Sequence, residues 1–279
     1  METAVWSSYF CELSPEDMVL AFKKNGFHYS ELSDEHGWML INRGGDVKET
    51  GRKFKAFADA NEVYFPQGHL WLKCRICAPE REQVIKTMLD WLDLFLACGI
   101  KNAVLHCDSM RDIVDANGVH VTYSEKEVIA KNAEMLRIFC QHLHGTDMTI
   151  CLENLIEGFR SVESLMEVVN RVQDNHLGIC LDTSHLNLSD RNPGHFIRTA
   201  GTKLKALHIS DNDYCTDQHM MPFGRGNVDF TEVVKALREV GYGGIYNLEI
   251  PGERKCPMKI KEMKLEFIRS AHDFFLKII

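Results

Sequence analysis

The feature that most constrains this chain is an alternation: eight short apolar runs, each followed by a longer segment of helical periodicity. A strand covered on both faces reads as a continuous apolar run, so this pattern predicts repeated strand–helix units around a parallel sheet. The predicted strands are 5–10, 27–32, 62–69, 102–107, 148–153, 177–182, 204–209 and 245–250, and the predicted helices are 15–25, 49–61, 79–98, 124–144, 161–172, 193–200, 230–240 and 259–279. Punctuation agrees: Ser14-Pro15-Glu16-Asp17 supplies a cap, a first-turn proline and acids at the positive end of a helix, while Asn25-Gly26, Cys98-Gly99 and Val240-Gly241 read as stops. No linker or low-complexity tract divides the sequence and no glycine-rich phosphate loop follows a strand. The expectation is one (β/α)8 TIM barrel, a single domain over residues 1–279.

Composition narrows the function. The formal charge of −8 and the dispersed Lys and Arg leave no basic footprint for a nucleic acid or an anionic membrane, so a small polar substrate fits better. No window is apolar for the length of a membrane span and residues 1–11 lack the basic start of a signal peptide, so a cytoplasmic protein is expected. Ten cysteines show no framework spacing and read as reduced thiols; Cys74-x-x-Cys77 has no second pair and is a weak zinc or redox signal. The helix 124–144 could supply a face for a homo-oligomer.

Metal-capable side chains fall at the ends of the later strands: His69, His106, Glu153, Asp182, His208 and Glu249 close the third to the eighth. In a parallel barrel that end forms the active site. Singly, each could be a satisfied polar residue or a helix cap. Together they crowd several carboxylates around one mouth, where like charges repel and lose hydration, and a bound cation is the simplest compensation.

The segments Ile150-Cys151-Leu152-Glu153-Asn154, Gly178 to His185, Leu207-His208-Ile209-Ser210-Asp211 and Asn247-Leu248-Glu249-Ile250 resemble successive signatures of the xylose isomerase-like TIM barrels, which include sugar phosphate isomerases and epimerases. The resemblance is specific from about residue 151 to 251; the first half matches in layout. It implies one divalent ion (Mn, Mg, Co or Zn) on Glu153, Asp182, His208 and Glu249, with Glu153 and Glu249 also serving as acid and base around an enediolate, and His185 reaching a carbohydrate substrate.

Asp217 to Gly226 resembles the loop after the seventh strand in that family. In an extended segment Asp217 and His219 face the same way, and Arg225 is a candidate for a substrate phosphate or carboxylate. His69 and His106 are candidate substrate contacts. With His185, Asp217 and His219 they also parallel the ligands of the related endonuclease IV enzymes, which carry three zinc ions and hydrolyse phosphodiesters. A keto-inositol-type dehydratase is a further alternative, as is a barrel that keeps its metal only as a binding or partner subunit.

Free-ketose epimerases place a carboxylate and an arginine where this chain has Phe159 and Tyr214, so substrate identity stays open, with Glu157 or Arg160 as replacements for part of that shell. Trp6, Tyr9, Phe10, Trp38 and Trp71 could wall a sugar ring. Glu31 and His36, near the end of the second strand, are candidates for the mouth by position alone.

Overall fold

All eight predicted strands form and pair in parallel: β1 (Thr3–Trp6), β2 (Tyr29–Leu32), β3 (Tyr64–His69), β4 (Asn102–Leu105), β5 (Thr149–Glu153), β6 (Leu177–Asp182), β7 (Leu204–His208) and β8 (Tyr246–Leu248). β8 pairs with β1 through Thr3↔Tyr246 to Val5↔Leu248, and the bridge Ile209↔Leu248 joins β7 to β8, which closes the ring into a TIM barrel. This computed structural model describes residues 1–111, 113–114, 119–253 and 255–279.

Helices pack around the strands: α1 (Pro15–Lys24), α2 (Asp34–Ile41), α3 (Val47–Ala60), α4 (Arg81–Cys98), α5 (Glu125–Leu143), α6 (Val162–Val172), α7 (Thr183–Asn187), α8 (Pro193–Ala200), α9 (Phe230–Glu239) and α10 (Met258–Ile278). Their ends follow side-chain chemistry. Ser14 Oγ accepts from Asp17 N–H at α1, Ser124 and Glu127 form a capping box at α5, and Gly99 ends α4 with φ of 82°. Between the two layers lies an apolar core that includes Trp91, Phe95, Phe139, Leu165 and Phe196. No helix among the described residues is long and apolar enough to cross a membrane.

The structure departs from the sequence expectation near the start of the chain. β1 stops at Trp6, and Ser7–Phe10 curl into a 3-10 turn whose Ser7 Oγ accepts from Ser33 N–H at 2.8 Å, tying the ends of β1 and β2 together. The unanticipated α2 follows at once, capped by Ser33 and opened by Asp34 and Glu35. A small antiparallel pair, Ile113–Val114 with His120–Val121, extends the connection after β4.

Candidate active site

The site follows from strand periodicity. Val104, Cys151, Cys180 and Ala206 form a small buried cluster inside the barrel. Two residues further along the same four strands stand His106, Glu153, Asp182 and His208. Side chains repeat their direction every second residue, so an inward apolar layer is capped by an inward layer of acids and imidazoles. Register sets Asp182 directly beside His208, and Glu153 beside Cys180 of the neighbouring strand.

Glu153, Asp182, His208 and Glu249 each offer an atom within 4.8 Å of all the others, a grouping that could hold a metal ion, and all four residues are buried. Asp182 Oδ1 caps α7 by accepting from His185 N–H at 2.7 Å, whereas its Oδ2 is buried with no hydrogen-bond partner. Glu249 Oε2 and His208 Nδ1 stand 3.1 Å apart, yet both are likewise buried without a hydrogen bond. Unpartnered buried polar atoms are costly. Three of them on one ligand-competent quartet fit a divalent cation, which would satisfy all three at once.

Neighbouring groups set which imidazole atoms face the centre. His208 Nε2 donates to Glu31 Oε1 at 3.0 Å, leaving Nδ1 toward Glu153 (3.2 Å) and Glu249. His69, His185 and His219 are pinned the other way round: each Nδ1–H donates to a backbone carbonyl, of Leu70 (2.6 Å), Asn154 (2.9 Å) and Glu249 (3.0 Å), so that Nε2 points to the cavity. His69 Nε2 and His106 Nε2 then lie 3.4 and 3.0 Å from Glu153 Oε2. Imidazoles oriented through the second nitrogen are typical of metal and proton-transfer sites.

Loop geometry adds the last pair. A backbone bridge between Asp211 and Met220 folds the segment after β7 back over the mouth. Gly226 permits this, because a Cβ there would fall 2.1 Å from the Asp211 carboxylate, whose Oδ1 accepts from Asn212 and Val228 N–H. Asp217 consequently bridges two imidazoles, with Oδ1 2.9 Å from His219 Nε2 and Oδ2 3.4 Å from His185 Nε2.

Charge interactions across the cluster are strong. Burial disfavours the Glu153 carboxylate, but His208, His106 and His185 outweigh it and hold its pKa well below the ordinary value. Burial is outweighed in the same way at Glu249, lowered to about 2 by His208 and His219. Asp182 goes the other way, pushed up to about 7 by burial. His219, despite its burial, is raised to about 10 beside Glu249 and Asp217, and His69 to about 9 beside Glu153. Two glutamates are thereby kept as carboxylates.

A cavity of about 370 Å³ opens above the cluster, lined by Trp6, Asp34, Leu72 and Pro251 together with His69, His106, Glu153, His185, Asp217, Gln218, His219 and Glu249. Some expected residues do not reach it. Glu157 is exposed and paired with Arg111 at 2.7 Å, Arg225 lies exposed on the loop, and Arg160 donates to the Leu188 carbonyl. His36 turns into the packing of α2 against Ser7 at 2.8 Å. Tyr9 and Phe10 are core residues, Phe159 is buried, and Tyr214 is covered by the Arg191 guanidinium at 3.8 Å. All ten cysteines are free thiols, and among the described residues Cys74 and Cys77 join no metal-capable group.

Sequence reasoning undervalued two acids. Glu31 lies within β2, fully buried below the quartet, where Gln67 and Asn247 side-chain amides also donate to it. Asp34, not anticipated, opens α2 against the cavity. An acid flanked by Ser30 and Leu32 in an apolar run was the available signal for Glu31; Ser33 before two acids was the signal for α2.

A model of the family described as xylose isomerase-like TIM barrel matches residues 19–271. The chain belongs to this family. Among its curated relatives, an uncharacterized protein of Methanocaldococcus jannaschii is 30% identical over 155 residues, covering 53% of this chain and 52% of that one. The D-psicose 3-epimerase of Enterocloster bolteae is 28% identical over 124 residues, covering 43% and 39%. The chain thus spans about half the length of the curated relatives it matches. A solved D-psicose 3-epimerase with D-tagatose, from Clostridium cellulolyticum H10, superposes with a TM-score of 0.80 over 99% of both chains at 18% identity, which establishes the likeness of fold.

Proposed function

We propose that this xylose isomerase-like barrel is a metal-dependent isomerase or epimerase of an unphosphorylated sugar or related polyol ketone. The observation that carries the reading is the quartet Glu153, Asp182, His208 and Glu249, with three buried unpartnered atoms, at the floor of a cavity of monosaccharide size. A divalent ion, Mn, Mg, Co or Zn, when bound there supplies Lewis acidity to a carbonyl and its neighbouring hydroxyl, which acidifies the intervening C–H. Glu153, held ionised by the surrounding imidazoles, removes that proton, and Glu249, protonated in its turn by the neighbouring His219 imidazolium, which recovers its proton from solvent, returns one to the enediolate carbon. His185 Nε2 offers a hydrogen bond to a substrate oxygen from the cavity wall, its ring fixed through Nδ1. Among the described residues no Lys or Arg lines the cavity, which favours a neutral sugar over a sugar phosphate. The similarity to D-psicose 3-epimerases supports the same class.

Elemental analysis joined to a panel of ketoses in deuterated water tests this. One ion per chain and carbon-bound deuterium support the proposal; no exchange with any sugar counts against it.

A second reading has its own observation. His69, His106 and Glu153 form one further metal-capable group, and Asp182, His185 and His219 another. Three zinc ions per chain with cleavage of abasic DNA would make the protein a phosphodiesterase of the endonuclease IV type, although its charge of −8 is unfavourable for a DNA partner.

A further inference from the structure

Below the quartet lies a second group of possible ligands, and it includes a thiol. Glu153, Cys180 and His208 offer a carboxylate oxygen, Sγ and a ring nitrogen that all lie within 4.8 Å of one another. Register explains the meeting. Cys180 is the partner of Glu153 on the neighbouring strand and stands two residues before Asp182, so it faces inward one layer deeper than the Asp182 carboxylate. Glu153 and His208 thus belong to two groups, one completed by Asp182 and Glu249 and the other by Cys180.

Burial and an unpartnered nitrogen mark the deeper group as a site. Glu153 is 1% exposed, and Cys180 and His208 are fully buried. His208 Nε2 is committed to Glu31, while Nδ1 lies 3.2 Å from Glu153 Oε1 and has no hydrogen-bond partner. The nearby Cys151 donates its S–H to the Thr149 carbonyl at 3.6 Å, whereas Cys180 makes no hydrogen bond among the described residues. Thiolate suits soft ions such as Zn and Cd, while carboxylates suit Mn and Mg. A ring nitrogen has one lone pair and binds one ion at a time, so the two groups cannot both be filled.

We infer that Cys180, Glu153 and His208 form a thiolate-containing cation site beneath the quartet, which takes a soft divalent ion, Cd or Zn, to the exclusion of a hard ion above it. As the metal–sulfur bond forms, the thiol proton leaves to solvent, and one thiolate and one carboxylate balance the two positive charges. An ion held there occupies Glu153, the base of the proposed proton transfer, and so silences it. The choice of ion becomes a choice between an active and an inactive barrel. This rests on the reading of the quartet as a metal site and adds how metal identity regulates it.

The test uses the full chain, stripped with chelator and kept reduced by a phosphine. Cadmium chloride is titrated in while ultraviolet absorption reads the cadmium–thiolate charge-transfer band, and Mn binding is followed separately by electron paramagnetic resonance. A band should appear that excess Mn removes, because both ions need His208. Cadmium on the exposed Cys215, or on Cys74 and Cys77, would ignore Mn. Cys180→Ser should abolish the Mn-sensitive band and lower the ratio of Cd to Mn affinity by about tenfold or more. Asp182→Asn should do the reverse, weakening Mn and keeping the band, and it decides the matter if Cys180→Ser does not fold. Mn binding without any Mn-sensitive band overturns this inference and leaves the quartet standing; absence of Mn binding removes the quartet and the inference together. A Mn-sensitive band that survives Cys180→Ser, or one that Asp182→Asn abolishes, also overturns it.

Discussion

His208 donates through Nε2 to Glu31 Oε1 at 3.0 Å, with both residues fully buried beneath the cavity. The bond fixes the imidazole with Nδ1 toward Glu153 and Glu249, and the Gln67 and Asn247 amides hold the carboxylate in turn. An outer carboxylate of this kind orients a ligating histidine and raises its basicity. Glu31→Gln should weaken Mn affinity roughly 10–100-fold while leaving the circular dichroism spectrum intact. Competition against a fluorescent chelator reads this; parental affinity would show that Glu31 only fills space.

Glu153 and Glu249 are assigned proton transfer, so their amide variants should lose about 10²–10⁴-fold in solvent exchange at the substrate carbon. Glu153→Gln should also weaken metal binding. Exchange rates for both variants within a factor of a few of the parent would remove the glutamates from the chemistry.

Metal should stabilise the fold, since the quartet exists only when the barrel is closed. At free ion 100 times Kd the gain is about 2.7 kcal/mol, which should raise Tm by roughly 5 °C. Scanning calorimetry with Mn and then with excess chelator checks this. Asp182→Asn combined with His208→Ala should abolish the shift; a shift of parental size in that double variant would place the ion elsewhere.

Two buried histidines outside the metal-capable cluster set an acid limit. Burial holds His36 and His272 at about 4, against 6.5 for a free imidazole. The folded state prefers them neutral, so their contribution is complete above pH 6.5 and is lost as pH falls from there toward 4, by roughly 2 kcal/mol each at pH 5. Asp182, raised to about 7, acts in the opposite direction as pH falls. Comparison with His272→Gln cancels that contribution: between pH 7 and 5 the variant should lose less stability to acid than the parent in urea unfolding. Equal losses would contradict the burial argument.

The barrel was legible where strands are covered on both faces. The runs at β5, β6 and β7 are mostly apolar, with Lys205 an exposed exception in β7, and β6 lies where the sequence puts it, ending on Asp182. Reading failed around Ser7 and Ser33, where hydroxyl–backbone bonds rather than hydrophobic period decide the path, and there β1 shortened and α2 was missed. Strand-end position placed His69, His106, Glu153, Asp182, His208 and Glu249 around one mouth. It brought Glu31 forward as a candidate for the mouth but not as the group that orients His208, because that role comes from a contact 177 residues away along the chain. Arg225 and Glu157 illustrate the converse, because a loop residue's spacing does not determine whether its side chain turns inward.

Anomalous diffraction from crystals soaked in Mn tests the central claim most directly. The account predicts a peak in contact with Glu153, Asp182, His208 and Glu249 together. A Mn-saturated crystal with no density among those four side chains, or with the ion bound only at other residues, would contradict it.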